Sequence, residues 1–115
     1  MRQYDSGATR SPLGDKLQYK GFRCPQVEKS FALYMHEHRT QADGNIRDAD
    51  NWKKGMDKED CADSLIRHCE DFHSAWEGWE VICPDTKKKV SVVELLNAMK
   101  FNINAIIREL IKETT

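Results

Sequence analysis

Apolar side chains recur at steps of three and four in three separate stretches of this chain. In the first, Val27, Phe31, Tyr34 or Met35, and His38 repeat with helical period behind Pro25, whose fixed φ suits a first helical residue, so a helix is expected over residues 25–39. In the second, Cys61, Leu65, Cys69, Phe72, Trp76 and Trp79 share one face of a helix that Asp57 or Asp60 would cap, with an acidic first turn that suits the helix dipole. A polar stripe of Ser64, His68 and Asp71 runs along the same helix at the same spacing. The third stretch opens on Ser91-Val92-Val93-Glu94, the S-x-x-E pattern of a capping box, and should run to about Lys112. Its apolar stripe is Leu95, Leu96, Met99, Ile103, Ile106, Ile107 and Leu110, interrupted or flanked by Asn97, Asn102 and Asn104. Strand signals are too few to build a sheet; a short hairpin of residues 80–82 against 89–92 is the one candidate.

What lies between the helices completes an all-α expectation, a small three-helix domain spanning residues 1–115. Residues 40–55, rich in Asp, Asn and Gly and without period, form a long polar loop between helices one and two, closed by Gly55 at a left-handed position. Long ordered loops in small domains are often functional. Residues 1–22 carry Gly7, Pro12 and Gly14 among polar residues and read as an extended arm, with Leu13, Leu17, Tyr19 and Phe22 available to adhere to a neighbour or to the chain's own core.

Composition narrows the function classes. A mean hydropathy of -0.74 leaves a chain of 115 residues little apolar material to cover both faces of its helices, so a homo-oligomer with helices two and three at the interface is expected. Its 18 basic and 19 acidic residues are mixed, with only Lys87 to Lys89 as a run, which gives no strong signal for nucleic-acid binding. No apolar run approaches the roughly 20 residues that cross a bilayer, and the N-terminus lacks the apolar stretch of a signal peptide, so a cytoplasmic protein with no membrane partner is expected. Cys61 and Cys69 lie two turns apart, about 12 Å along one helix, and cannot pair; all four cysteines should be reduced. There is no C-x-x-C pair to suggest zinc.

The residues also carry a resemblance. Tyr4-Asp5-Ser6-Gly7-Ala8-Thr9-Arg10, Lys20-Gly21-Phe22, Tyr34-Met35-His36-Glu37-His38-Arg39, Asp43-Gly44 with Arg47, Asp50-Asn51-Trp52-Lys53-Lys54-Gly55, Arg67-His68 with Asp71, and Glu94 with Phe101-Asn102 together resemble the small bacteriophage proteins of the dATP/dGTP diphosphohydrolase-type family, or its N-terminal domain. The similarity covers nearly the whole chain. It implies a helical, Mg²⁺-dependent nucleotide pyrophosphohydrolase that cleaves a purine dNTP to dNMP and pyrophosphate in the cytoplasm of a phage-infected bacterial cell. Two other classes stand beside it: a nucleotide-binding protein that sequesters its ligand uncleaved, and a plain interaction protein. The E-x-x-E and E-x-x-D pairs of all-α pyrophosphatases are not intact here; the nearest approximations are Glu37 with His38, His68-x-x-Asp71, Glu77-x-x-Glu80 and Glu94.

The candidate residues follow from both readings. Arg67, His68 and Asp71 are the catalytic candidates: His68 and Asp71 share a helix face, and Arg67 would clamp phosphate or pair with Asp63 or Asp71. Arg39, Asn51, Trp52 and Asn102 are the substrate-binding candidates. Trp52 would stack on a base while Asn51 reads its edge, or would plug the top of the helical core; Asn102, an amide on an apolar stripe, would fix helix register or face a ligand. Asp50, Asp71 and Glu37 are the candidate Mg²⁺ ligands, and Glu94 is already engaged if the capping box forms.

Overall fold

A computed structural model describes residues 2–3, 9–10, 16–41 and 43–115. At the N-terminus, β1 (Arg2–Gln3) pairs antiparallel with β2 (Thr9–Arg10), placing Arg2 opposite Arg10. Three helices make the body: α1 (Pro25–Glu37), α2 (Lys58–Trp76) and α3 (Val92–Glu113). The remainder of the expected arm, with Leu13, lies outside the described residues. Leu17, Tyr19 and Phe22 do not adhere to the chain's own helices but stand exposed.

Local chemistry explains where the helices begin and end. Pro25 opens α1, and the Asp57 side chain accepts from the Asp60 N–H at 3.0 Å to cap α2. At α3 both halves of the capping box form: Ser91 Oγ accepts from Glu94 N–H at 3.1 Å, and Glu94 Oε1 accepts from Ser91 N–H at 3.4 Å. Ser91→Ala should therefore cost about 1 kcal/mol and lower the melting temperature by about 4 °C, measured by thermal unfolding. The second helix stops three residues before Trp79. Gly78 adopts φ 95°, and Trp79 N–H bonds back to the Ser74 carbonyl at 3.0 Å, a left-handed terminus that leaves Trp79 exposed beyond the helix. The candidate hairpin shrinks to one bridge, Ile82 with Lys89, around a turn in which Lys87 takes φ 59°.

Packing is uneven. The helices α2 and α3 run antiparallel along their length, tied where α2 begins and α3 ends by the Lys58–Glu113 ion pair and by the Met56 N–H donating to Glu109 Oε1 at 3.1 Å. Helix α1 lies only on α3, held by Asn97 Nδ2 donating to Ser30 Oγ at 3.0 Å and by Lys100 over the Phe31 ring at 4.8 Å. Among the described residues no Cα of α1 comes within 8 Å of a Cα of α2. The core is correspondingly thin: among the described residues Cys61, Leu95, Ala98 and Ala105 are the buried apolar ones, with Asn97 and Asn102 beside them. All four cysteines are free, and no helix among the described residues is long and apolar enough to cross a membrane.

Candidate functional site

The gap left between α1 and α2 is a cavity of about 520 Å³, floored by α3 and closed by the loop between the first two helices. That volume lies in the range of small-molecule sites. The loop that closes it is ordered by its own backbone. Thr40 bridges Ile46, Gly44 turns the chain at φ 86°, and Asp43 accepts from the Asn45 N–H at 3.0 Å. This turn sets two arginines side by side in the cavity wall. Arg39 Nε donates to the Arg47 carbonyl at 2.7 Å, and Arg47 Nη2 donates to the His38 carbonyl at 2.6 Å. Carbonyl contacts hold both guanidinium groups without cancelling their charge, and neither has a carboxylate partner among the described residues. The arrangement suits an anion.

On the other side the lining is aromatic. The short 3-10 turn Asn51–Lys54 delivers Trp52, whose ring meets Phe101 edge-on with centroids 6.4 Å apart at 75°. Behind it Arg108 stands 5.9 Å over the same ring and donates to the Lys53 carbonyl at 3.4 Å. Trp52 is half-buried: it covers α3, as expected of a plug on the helical core, and it also lines the cavity. Asn102, 5% exposed, lies in the floor. Its Nδ2 donates to the Ala98 carbonyl at 2.9 Å, and because a carbonyl only accepts, this contact fixes which end of the amide is Oδ1. The amide makes no other hydrogen bond among the described residues, so its acceptor and second N–H are available to a ligand.

His68 enters from α2 with Ser64. Its Nδ1 is covered and has no hydrogen-bond partner among the described residues. Burial pushes the His68 pKa below its ordinary 6.5, opposed by Asp71 and reinforced by Arg67. The sign of the pH effect follows. A histidine that is harder to protonate folded than unfolded binds more protons in the unfolded chain, so stability falls as pH drops through and below about 6.5. The denaturation midpoint should shift to lower urea between neutral and mildly acidic buffer, and His68→Gln should flatten that part of the slope. Tyr34, across the cavity on α1, has its hydroxyl pKa raised by burial and then by Glu94, and stays a protonated donor.

The cavity brings together Arg39, Asn51, Trp52, His68 and Asn102. Four other candidates lie outside its lining. Arg67 is exposed and donates to Ser64 Oγ at 2.8 Å; Asp71 is exposed one turn beyond His68; Asp50 is exposed in the loop; and Glu37 borders a shallower groove between α1 and α3 together with Glu94. Asp48, which with Asp50, Asn51 and Trp52 forms the polar cluster expected to act just before α2, lines it, and so do Arg47, Met35, Met56 and Phe101, which were not candidates. Arg47 and Phe101 sit within the motifs of the resemblance, the one signal that marks them in the sequence.

Whether these residues suit Mg²⁺ is decided by the donor set. No cluster of three or more His, Cys, Asp or Glu side chains placed to hold a metal occurs among the described residues. Asp48 is the carboxylate in the cavity wall. Mg²⁺ is commonly held by one or two carboxylates plus substrate phosphates, so Asp48 suits a metal that arrives with a nucleotide and not one held by the protein alone. Comparison of the chain with family models, curated proteins and solved structures finds no match, so the site is read from its own geometry.

Proposed function

We propose that the cavity binds a purine nucleotide and that the protein cleaves a purine deoxynucleoside triphosphate to the monophosphate and pyrophosphate with Mg²⁺, as its resemblance to the phage diphosphohydrolase-type family implies. One observation carries the binding half: an arginine pair without acidic partners among the described residues and an aromatic–amide surface line the same cavity. The base would lie against Trp52 and Phe101 with its polar edge on Asn102, and the phosphates on Arg39 and Arg47. Asp48 would hold Mg²⁺, which when bound offsets phosphate charge and makes a bound water more acidic. His68, kept neutral by burial, is in the form that accepts a proton. In this reading the protein acts as a homo-oligomer in the cytoplasm of an infected cell.

A second reading, binding without cleavage, is favoured by the exposure of Arg67 and Asp71 outside the cavity and by the single carboxylate in its wall. Incubation of each dNTP with the protein and Mg²⁺, followed by chromatography of the nucleotides, separates the two. Pyrophosphate and dNMP from dATP or dGTP support hydrolysis. Intact ligand recovered after a demonstrated binding event supports sequestration.

A further inference from the structure

The loop over the cavity is held at its two ends by different means. At the near end the chain folds back on itself: Arg47 N–H donates to the Arg39 carbonyl at 2.8 Å, beside the Thr40–Ile46 bridge. The far end, residues 51–56, lies along α3, with Trp52 edge-on to Phe101 and the Met56 N–H on Glu109 Oε1. Phe101 and Glu109 are eight residues apart on α3, about 12 Å along its axis, so this short segment covers about two turns of the helix. Trp52 and Met56 both line the cavity, and Glu109 does not.

Two hydrogen bonds tie the segment to α3 among the described residues, and they are unequal. Arg108 Nη2 reaches the Lys53 carbonyl only at 3.4 Å, beyond the usual range of such a bond, and Arg108 Nε is covered with no partner among the described residues. Glu109 accepts from Met56 at 3.1 Å and is itself fixed: Lys112 Nζ stands 3.2 Å from its Oε2, and its side chain is 15% exposed. The Met56 N–H, and after it Lys112, hold the Glu109 carboxyl below its ordinary pKa, so the acceptor is ionised at neutral pH. Lys58 and Glu113 pair the same two helices close by, but neither lines the cavity.

We infer that Glu109 is a positioning residue for the base half of the site: by holding Met56 it keeps residues 51–54 seated on α3 and so presents the Trp52 ring to the cavity. This role rests on the nucleotide reading above, and it divides the ligand between two supports. The ring that meets the base is set by Glu109 from α3, whereas Arg39 and Arg47, which meet the phosphates, are set by the carbonyls of their own turn. Base affinity and phosphate affinity are therefore separable.

Glu109→Ala should weaken the binding of deoxyadenosine about tenfold, the lower part of what a base–aromatic stack is worth, and leave the binding of inorganic pyrophosphate unchanged. Glu109→Gln, whose amide oxygen still accepts from the Met56 N–H, should bind both as the wild type does. Glu113→Ala, which cuts the neighbouring ion pair, should change neither. Isothermal titration reads all four proteins, and Glu109→Asp, one methylene shorter, replaces Glu109→Ala if that variant does not fold. Unchanged deoxyadenosine affinity in Glu109→Ala, or an equal loss of both ligands, overturns the assignment. Should the wild type bind no deoxyadenosine, the nucleotide reading has failed, and the indole N–H resonance of Trp52, assigned with Trp52→Phe, decides alone. A shift in Glu109→Ala that Glu109→Gln does not show keeps Glu109 as the residue that seats the ring; an unmoved resonance, or one that moves equally in both, overturns it.

Discussion

Arg39→Ala should weaken the binding of a purine deoxynucleoside triphosphate by roughly ten- to a hundredfold, about 1.5–3 kcal/mol, while the binding of the bare nucleoside changes little. The magnitude is that of hydrogen bonds to charged groups. Arg39 is held by the Arg47 carbonyl and, among the described residues, by no acid, which leaves its charge open to an anionic ligand. Its Nε contact also helps to order the turn, so the nucleoside is the necessary control: parallel loss of both ligands would mean that the cavity wall had collapsed. Arg39→Lys should fall between, keeping the charge and losing the fork that meets two phosphate oxygens. Isothermal titration of the three proteins with triphosphate and nucleoside reads each effect.

Trp52→Ala should lower both stability and base affinity. A fully buried tryptophan truncated to alanine costs about 3–5 kcal/mol, and because Trp52 is half-buried the expected loss is about 1.5–3 kcal/mol. That corresponds to a melting temperature lower by about 6–12 °C. The ring is fixed by Phe101 edge-on and by Arg108 behind it, so Trp52→Phe should recover most of the stability and part of the affinity. Calorimetric melting followed by titration with dATP checks both. An unchanged melting temperature in Trp52→Ala would mean that the ring is not wedged between α3 and the loop.

Much of the fold was legible because it is written locally. The Ser91–Glu94 box, the Asp57 cap, Pro25 and the three-four apolar steps give the starts and types of all three helices without tertiary information. The end of α2 was misjudged because Gly78 stops the helix, whereas the apolar pattern that carries Trp79 does not see backbone handedness. The cavity was only partly legible, since it exists because the α1 and α2 backbones stand apart, a tertiary fact with no periodic signature. Asn102 and Trp52 could be singled out as an amide in an apolar stripe and an aromatic in a polar loop. Arg47 is marked only by the motifs of the resemblance and not by its own chemistry or spacing, because its place depends on the turn that pairs Thr40 with Ile46. The Ser64, His68, Asp71 stripe is a true face of α2, but the cavity spans only its first two members, and Asp71 lies a turn further along the helix in solvent. Arg67 points off that face and reaches back to Ser64.

The central claim is that this cavity is a purine nucleotide site, and thermal unfolding of the wild-type protein with and without saturating dATP or dGTP tests it most directly. Ligand at about a hundred times its dissociation constant stabilises the folded chain by about 2.7 kcal/mol, a rise of roughly 10 °C at this size. The account predicts such a rise with purine nucleotides, a smaller one with pyrimidine nucleotides, and loss of the effect in Arg39→Ala. No change in melting temperature with any purine nucleotide at millimolar concentration would contradict it.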